Sequence, residues 1–345
     1  MNLNNLYRLS LVLLICIISI GGCNNGGNSG GSDVPTSVPF NLNTALDLAI
    51  LSLVAYNQRI ECINGDTITV PEGYKLEEVI YQQIESALDS HCKNDTKEIP
   101  IAFIATKDKN IYLSFRGTAT FSDAIADTVI KEEPFTFFNN DSANNAKVHM
   151  GFNTLYKSIR EPIFDKIRTL SDEMKDGALK YNTLFVTGHS LGAALAVLAV
   201  PDLKEDIKNL PPVVMYNFAG PSVGNSEFVD IYTSAVNASW RVANTNDVIP
   251  KLPPTTLDCD DYRYEHAKSE RDITFGKELP ALPAVSCKQT GLIQGAIAIY
   301  LYDNQDQVET NHSMCTYHDT LCDELADSKD CKAQTDGLLG CPKSQ

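Results

Sequence analysis

Positive charge is scarce in this chain. Its 345 residues include 28 lysines and arginines against 44 aspartates and glutamates, which gives a formal net charge of −16. A protein that binds nucleic acid or an anionic membrane through charge needs a basic surface. The balance therefore excludes nucleic acid as a partner and predicts an acidic, water-exposed surface.

Cysteine pairs with zinc-finger spacing are also absent, because none of the ten cysteines forms a C-x-x-C pair. Structural zinc sites usually depend on such pairs, so no metal is expected; residues 258–261 look like a solvated acidic loop, with calcium as the lesser alternative. Without Cys16 and Cys23, eight cysteines remain, an even number typical of disulfides in an exported protein. Their grouping predicts a Cys62–Cys92 disulfide and assigns the other six to staples of the long C-terminal loops.

The apolar run near the N-terminus, residues 9–20, is too short to span a bilayer. Small residues follow it and lead to Cys23, as at a processing site. The stretch resembles a bacterial lipoprotein signal, in which the cysteine is acylated and becomes the new N-terminus. An ordinary secretory signal with an incidental cysteine is the alternative. Residues 24–32 are rich in Asn, Gly and Ser and favour a flexible tether.

These features predict a signal peptide at residues 1–22, a lipidated Cys23 with a linker to residue 40, and one folded domain from 41 to 345. With more than one acyl chain, such an anchor would be stable. The expected location is the bacterial cell envelope, on a membrane through the N-terminal lipid. The alternative is a secreted protein.

One stretch of the domain combines a short apolar run, a tight turn and a helix-forming run. Residues 184–186 are apolar, Gly188 and Gly192 flank Ser190 by two positions each, and an Ala/Leu-rich segment follows. A nucleophilic serine on a strained strand-to-helix turn requires this spacing, because the flanking positions have almost no room for side chains. The backbone N–H of Leu191, at the start of the helix, would then face a developing oxyanion.

The remaining periodicity indicates alternating helices and strands. A helix is expected from an N-cap at Asn43 to about Tyr56, and another within residues 76–88. Predicted strands are 101–105 and 111–115, joined as a hairpin, then 213–218 and 240–244. The pattern predicts an α/β fold with a mostly parallel central sheet flanked by helices. Functional side chains should lie at the carboxyl ends of its strands.

The turn after the hairpin reads Arg116-Gly117-Thr118. It could present an amide and a hydroxyl to an oxyanion, or it could be a surface turn with a solvated arginine. Just beyond it, Phe121, Ile125 and Val129 recur at helical spacing. This segment is either a lid over the site or an ordinary surface helix.

Three phenylalanines and a histidine follow this segment. Phe135, Phe137 and Phe138 could line an acyl groove or pack the core. His149 is expected to be a structural histidine with its hydrogen bonds satisfied.

Acyl transfer by a serine needs a base and a carboxylate that orients it, in the order Ser, Asp, His for this fold. Asp247 is preferred as the carboxylate because it follows a predicted strand and precedes an apolar Val-Ile pair. His266 comes too soon after it to reach the next strand end. His312 and His318 both follow the last apolar run, and spacing alone barely separates them.

The ordered motifs resemble the class 3, fungal-type lipase family between about residues 43 and 320. They are listed here in chain order: Phe115-Arg116-Gly117-Thr118, His149-x-Gly151-Phe152, Gly188 to Gly192, Gly220-Pro221-x-Val223-Gly224-Asn225, Arg241-Val242-x-Asn244-x-x-Asp247-x-Ile249-Pro250, and His312-Ser313-Met314 with Tyr317. Two features depart from the family pattern: Ser222 stands where an arginine is common, and the Cys-rich tail after Cys315 has no counterpart.

The resemblance implies an α/β-hydrolase with Ser190 as nucleophile, Asp247 as orienting acid and His312 as base. It also implies Thr118 and the Leu191 amide as oxyanion donors and a lid within residues 119–130. The expected activity is ester hydrolysis through an acyl-enzyme without a cofactor, on triacylglycerols or another lipid ester. Phospholipase A1 activity, feruloyl-type esterase activity and a catalytically inactive binding module are the alternatives.

Overall fold

The computed structural model describes residues 39–83, 92, 98–118, 131–137, 145–253, 263–266, 269–283, 290–338 and 341. The strands are β1 (Lys75–Gln83), β2 (Glu98–Lys107), β3 (Asn110–Phe115), β4 (Glu132–Pro134), β5 (Lys147–His149), β6 (Met174–Lys175), β7 (Ala178–Leu179), β8 (Thr183–His189), β9 (Val213–Phe218), β10 (Ala238–Asn244) and β11 (Glu270–Ile273). The helices are α1 (Leu42–Asn64), α2 (Met150–Ser171), α3 (Leu191–Asp206), α4 (Ser226–Ala235), α5 (Thr290–Asp303), α6 (Gln305–Asn311), α7 (Met314–Cys322) and α8 (Ser328–Lys332). Short 3-10 turns occur at Ile249–Lys251 and Ala333–Thr335.

Seven strands form the central sheet in the order β1-β2-β3-β8-β9-β10-β11. The first three pair antiparallel, and the pairs from β3 to β11 are parallel. The predicted hairpin is β2 and β3, and the predicted mostly parallel sheet is confirmed. The carboxyl ends of β3, β8, β9 and β10 therefore lie along one edge.

Helices cover both faces of the sheet, as buried parallel strands require. One face packs against α2, α3 and α4, and the other packs against α1 and α7. Successive residues of β8 serve opposite faces: Leu184 and Val186 belong to the first core, whereas Phe185 packs against the second. The uninterrupted apolar character of this strand follows from its burial on both sides.

Two predictions about the N-terminal part of the domain were wrong. Residues 75–83 form the edge strand β1 rather than part of a helix, because they pair with β2 along almost its whole length. The charged, mixed composition of this stretch gives little helical or strand preference, and tertiary pairing decides the outcome. Helix α1 begins two residues earlier than predicted, at Leu42, because Asn41 rather than Asn43 is the N-cap and accepts the Thr44 amide at 2.9 Å.

The structure contains the predicted Cys62–Cys92 disulfide. At the C-terminus, Cys315–Cys341 and Cys322–Cys331 tie short helices to one another and to the chain end. The predicted disulfides of the C-terminal region are thus present, and two of their cysteines, Cys315 and Cys322, lie in α7 rather than in a loop. The remaining two cysteines, Cys259 and Cys287, lie outside the described residues.

The N-terminal signal, Cys23 and the linker also lie outside the described residues and stay predictions. None of the helices in the described ranges combines the length and the apolar character that crossing a bilayer requires.

Candidate active site

The turn between β8 and α3 holds Ser190 in a conformation that side chains rarely adopt. Its φ and ψ angles are 59° and −127°, and the residue is 7% exposed. Its amide donates to the Phe218 carbonyl at 3.0 Å, and its carbonyl accepts the Ala193 amide at 2.9 Å. The strain is held by the adjacent strand and by the first turn of α3, as in a nucleophile elbow.

The contacts of Gly188 and Gly192 explain why both positions need glycine. A Cβ on Gly188 would overlap the backbone of Gly192, and a Cβ on Gly192 would overlap the carbonyl of Phe115 at the end of β3. The two glycines therefore allow the strand and helix ends of the turn to contact each other, and they allow the turn to contact the end of β3. A side chain at either position would push Ser190 away from the sheet edge.

Asp247 lies just beyond β10 and is fully buried. One carboxylate oxygen accepts from Nδ1 of His312 at 2.7 Å and from the Tyr317 hydroxyl at 3.0 Å. The other accepts the Ile249 amide at 2.9 Å. A buried carboxylate needs such donors to compensate for lost water. Burial, and then the charge of Asp247, raise the pKa of Tyr317 well above its usual value, so the phenol stays a donor.

The donor pattern at His312 defines its tautomer. Because the Asp247 carboxylate can only accept, Nδ1 of His312 carries the proton in the neutral ring, and Nε2 has the free lone pair. Nε2 is buried and has no hydrogen-bond partner in the described structure. An unpartnered basic nitrogen beside an oriented carboxylate can take a proton from a hydroxyl. Hydrogen bonds of this kind often form only when substrate is bound.

Two asparagines join the Asp247 loop to the His312 segment. Asn244 donates its side-chain amide to the Asn311 carbonyl at 2.9 Å, and Asn311 donates to the carbonyls of Asn246 at 2.8 Å and Lys277 at 2.8 Å. Both side chains are buried. The loop that holds the carboxylate and the end of α6 are therefore held together directly before His312.

The His312 segment also contacts the residue that precedes Ser190. The ring of His189 lies 4.5 Å from the ring of His312, and its Nε2 is 2.9 Å from the His312 carbonyl oxygen. Ser190 is thus one residue from a side chain that contacts His312. The structure forms the predicted contact between Asp247 and His312 and brings His312 against the residue that precedes Ser190.

The segment after β3 is buried rather than solvated. Arg116 is 5% exposed; its Nε donates to the Pro100 carbonyl and its Nη1 to the Gly117 carbonyl, each at 2.8 Å. The alternative of a solvated surface arginine is therefore wrong. Thr118 is half-buried, and Leu191 begins α3, where the first amides have no intrahelical acceptor. The role of Thr118 and the Leu191 amide as oxyanion donors stays a prediction.

The other histidines considered from the sequence contact backbone groups or core residues. Nδ1 of His149 accepts the Phe152 amide at 3.3 Å at the start of α2. His266 lies 2.6 Å from the Pro250 carbonyl, and burial, aided by Arg241, lowers its pKa to about 3. His318 is fully buried in α7, and burial lowers its pKa too.

Other predicted site residues either pack the core or fall outside the description. Phe135 is buried, and its ring meets Phe137 and Phe228 edge to face, so these side chains pack the core. Phe138 lies outside the described residues. The predicted lid residues lie there as well: Phe121, Ile125 and Val129.

Sequence reasoning did not assign roles to three residues that the structure places beside the site. Tyr317 appeared only as part of a motif, whereas Tyr56 and His189 were not singled out. The hydroxyl of Tyr56 lies 2.9 Å from Nδ1 of His189. Tyr56 ends an apolar helical repeat and reads as packing, so nothing local indicates a partner 133 positions away.

The central part of the sequence matches a known protein family. Residues 112–257 match the family model described as Lipase (class 3). The match contains the elbow, the Gly-Pro motif and Asp247, and it agrees with the resemblance seen in the motifs.

The chain is similar to one protein named as a phospholipase A(1) and to another named as a lipase. It is 33% identical over 159 residues to phospholipase A(1) DAD1, chloroplastic, of Arabidopsis thaliana, over 44% of this chain and 35% of that protein. It is 29% identical over 198 residues to secreted mono- and diacylglycerol lipase A of Penicillium cyclopium, over 57% of this chain and 58% of that protein. The chain thus spans about a third to just over half of these relatives' lengths.

Among solved structures, lipase II from Rhizopus niveus superposes with a TM-score of 0.53 and 25% sequence identity. The superposition covers 68% of this chain and 81% of that one. The α/β-hydrolase fold predicted from the sequence is thereby confirmed.

Proposed function

From an α/β-hydrolase fold and a class 3 lipase match, we propose that this chain is a serine carboxylic ester hydrolase that acts on acylglycerols. One observation carries the proposal. A buried carboxylate, Asp247, orients the imidazole of His312, whose second nitrogen is unpartnered in the described structure. The same ring lies 4.5 Å from the ring of His189, the residue before Ser190. This combination activates a serine hydroxyl as a nucleophile.

In the proposed mechanism, the hydroxyl oxygen of Ser190 attacks the ester carbonyl carbon while Nε2 of His312 accepts the hydroxyl proton. Asp247 holds Nδ1–H and stabilises the imidazolium that forms. The amide of Leu191 and the Thr118 segment donate to the oxyanion, with the positive end of α3 adding to the field.

The tetrahedral intermediate then collapses to an acyl-enzyme, and His312 returns the proton to the leaving alcohol. Water attacks the acyl-enzyme in the second half, with His312 again as the base. The serine is regenerated and the fatty acid leaves. These steps need only side chains and backbone donors of this chain.

Acylglycerol is the preferred substrate class because the Penicillium relative is named as a mono- and diacylglycerol lipase and the superposed structure is a lipase. Phospholipid is the second candidate, because the Arabidopsis relative is named as a phospholipase A(1).

The test compares wild type with Ser190→Ala on a triacylglycerol emulsion, phosphatidylcholine vesicles and soluble p-nitrophenyl esters. We expect fatty-acid release from acylglycerol and a loss of about 10³-fold or more in kcat in the variant. Faster release from phosphatidylcholine would favour the phospholipase. Equal activity of wild type and variant, or none in either, would contradict the proposed mechanism.

We also propose that Cys23 carries a lipid anchor and holds the enzyme on the bacterial cell envelope. The short apolar run before Cys23 and the flexible stretch after it support this. Release as a secreted enzyme is the alternative, and the Penicillium relative is named as secreted. Mass spectrometry of the mature N-terminus decides between them, since an unmodified terminus contradicts the anchor.

A further inference from the structure

Two buried side chains that the mechanism does not use form a continuous hydrogen-bonded path beside Ser190. Tyr56, in α1, is 7% exposed, and His189, at the end of β8, is 4% exposed. The Tyr56 hydroxyl is 2.9 Å from Nδ1 of His189, and Nε2 of His189 is 2.9 Å from the His312 carbonyl oxygen. Gly117 packs directly against the Tyr56 hydroxyl, since a Cβ built on this glycine would lie 2.0 Å from the hydroxyl oxygen.

The chemistry of the end groups fixes the direction of every bond in this path. The His312 carbonyl can only accept, so Nε2 of His189 carries a proton and donates. In a neutral ring Nδ1 then accepts, and the Tyr56 hydroxyl must donate to it. Each hydrogen bond in the path therefore has one donor and one acceptor.

Burial keeps both side chains in these states. It lowers the pKa of His189 well below its usual value of 6.5, and the neighbouring His312 lowers it further. It also raises the pKa of the Tyr56 phenol. A neutral imidazole and a protonated phenol therefore persist across the range in which an esterase works.

The two ends of the path belong to different parts of the proposed site. Gly117 precedes Thr118 on the oxyanion segment, and His312 provides the base. There is no room for adjustment at the first end, because a Cβ on Gly117 would overlap the Tyr56 hydroxyl and approach the His189 carbonyl. At the second end the bond goes to the backbone of the base itself. The path thus links the segment that leads to Thr118 with the backbone of His312. In the proposed mechanism, both of these groups must face the Ser190 hydroxyl.

We propose that Tyr56 and His189 are positioning residues that hold the oxyanion segment and the backbone of His312 at a fixed spacing around Ser190. This rests on the proposed esterase function. Neither residue touches substrate; each acts through another group. Loss of one link leaves the chemistry intact but lets the base or the oxyanion donors move, and misplacement by about 1 Å can cost about 10²-fold in rate.

The test replaces Tyr56 by Phe, which removes the hydroxyl and keeps the ring. We expect kcat on a soluble p-nitrophenyl ester to fall about 10- to 100-fold, with KM unchanged. Tyr232→Phe is the matched control, since Tyr232 is equally buried and its hydroxyl bonds Ser239 at 2.7 Å on another part of the sheet. It should lose similar stability and keep its kcat. Equal losses of kcat in both variants would overturn the proposal.

His189→Gln supplies the second arm, because its amide can still donate to the His312 carbonyl. If one path transmits both effects, the double variant with Tyr56→Phe should be no slower than the slower single variant. If the loss of kcat in the double variant equals the product of the two single losses, the two residues act independently, and the proposed path is overturned.

A spectroscopic readout separates failure of this inference from failure of the proposed function. ¹⁵N NMR of His189 should show a neutral ring protonated on Nε2 between pH 5 and 9, whether or not the protein hydrolyses esters. The Nδ1-protonated ring would overturn the path. Wild type without esterase activity but with the expected tautomer would contradict the proposed function and the catalytic role of the path, while leaving its hydrogen bonds established.

Discussion

Ser190 has a backbone conformation that its surroundings impose. A non-glycine residue at φ 59° and ψ −127° typically costs about 1–3 kcal/mol. The close approach of Gly188, Gly192 and the end of β3 leaves the chain no other route between strand and helix. The same contacts that aim the hydroxyl therefore also explain the two glycines, so the motif is a packing requirement as well as a chemical one.

This predicts opposite effects for two glycine-to-alanine changes within helices. Gly295→Ala in α5 meets nothing within 4 Å and should stabilise the protein, by up to about 1 kcal/mol. Gly192→Ala in α3 has the same helical preference, but its Cβ would overlap the Phe115 carbonyl. It should destabilise by about 1–3 kcal/mol and lower kcat sharply. Urea unfolding and esterase rates check both, and a stabilised, active Gly192→Ala contradicts the packing argument.

At the level of elements, the site depends on segments whose ends meet at one sheet edge. The apolar run of β8 and the Ala/Leu run of α3 could be predicted because residues this apolar are stable only when the element is buried. The β2–β3 hairpin was equally clear from its polar turn. The strand β1 could not be predicted, because Lys75–Gln83 has mixed polarity and becomes a strand only by pairing with β2.

The functional residues divide in the same way. Ser190 and Asp247 have local signals, a turn motif and a strand end. The choice of His312 over His318 depended on the family resemblance, because spacing alone left both open. Tyr56 has no local signal, since its partner His189 is distant in sequence and adjacent only in the fold. Residues that position others through long-range hydrogen bonds are therefore the part that sequence reasoning misses.

Helix α7 carries Tyr317, which donates to Asp247, and it is tied down by two disulfides. Cross-links that close longer loops should contribute more stability. Cys315–Cys341 separates its ends by 26 positions and Cys322–Cys331 by 9. Paired Cys→Ser changes should therefore cost about 3.5 kcal/mol for the first bond and about 2.6 kcal/mol for the second.

The measurement is urea unfolding of the two double variants under non-reducing conditions. Esterase activity below the unfolding transition serves as the control for Tyr317, since an intact α7 should keep its contact with Asp247. A larger loss from the 9-position bond would show that the loop-entropy argument does not govern this end of the chain.

For the whole molecule, buried neutral histidines couple stability to pH. The pKa of His266 is lowered to about 3 in the folded protein, against 6.5 in an unperturbed ring. Between those values the unfolded chain binds a proton that the folded chain does not. Stability should therefore fall as the pH drops from about 6.5 towards 3, by about 1.4 kcal/mol per pH unit for this group. His189, whose pKa is also lowered, acts in the same direction.

The check is urea unfolding of wild type and His266→Gln between pH 4 and 6. The amide of glutamine can still donate to the Pro250 carbonyl, and the variant should lose less stability by about 1.4 kcal/mol per pH unit. From pH 7.5 to 8.5, where the histidine is neutral in both states, the two proteins should respond alike. Identical slopes at low pH would contradict the buried, neutral assignment.

The central claim, that Ser190 is made nucleophilic by His312, is tested most directly with a fluorophosphonate probe. The labelled residue is identified by mass spectrometry, and labelling rates are compared for wild type, His312→Ala and His318→Ala. The account predicts a single adduct on Ser190, a loss of about 10³-fold or more in rate for His312→Ala, and near wild-type labelling by folded His318→Ala. An unlabelled Ser190 in folded wild type, or silencing by His318→Ala alone, would contradict it.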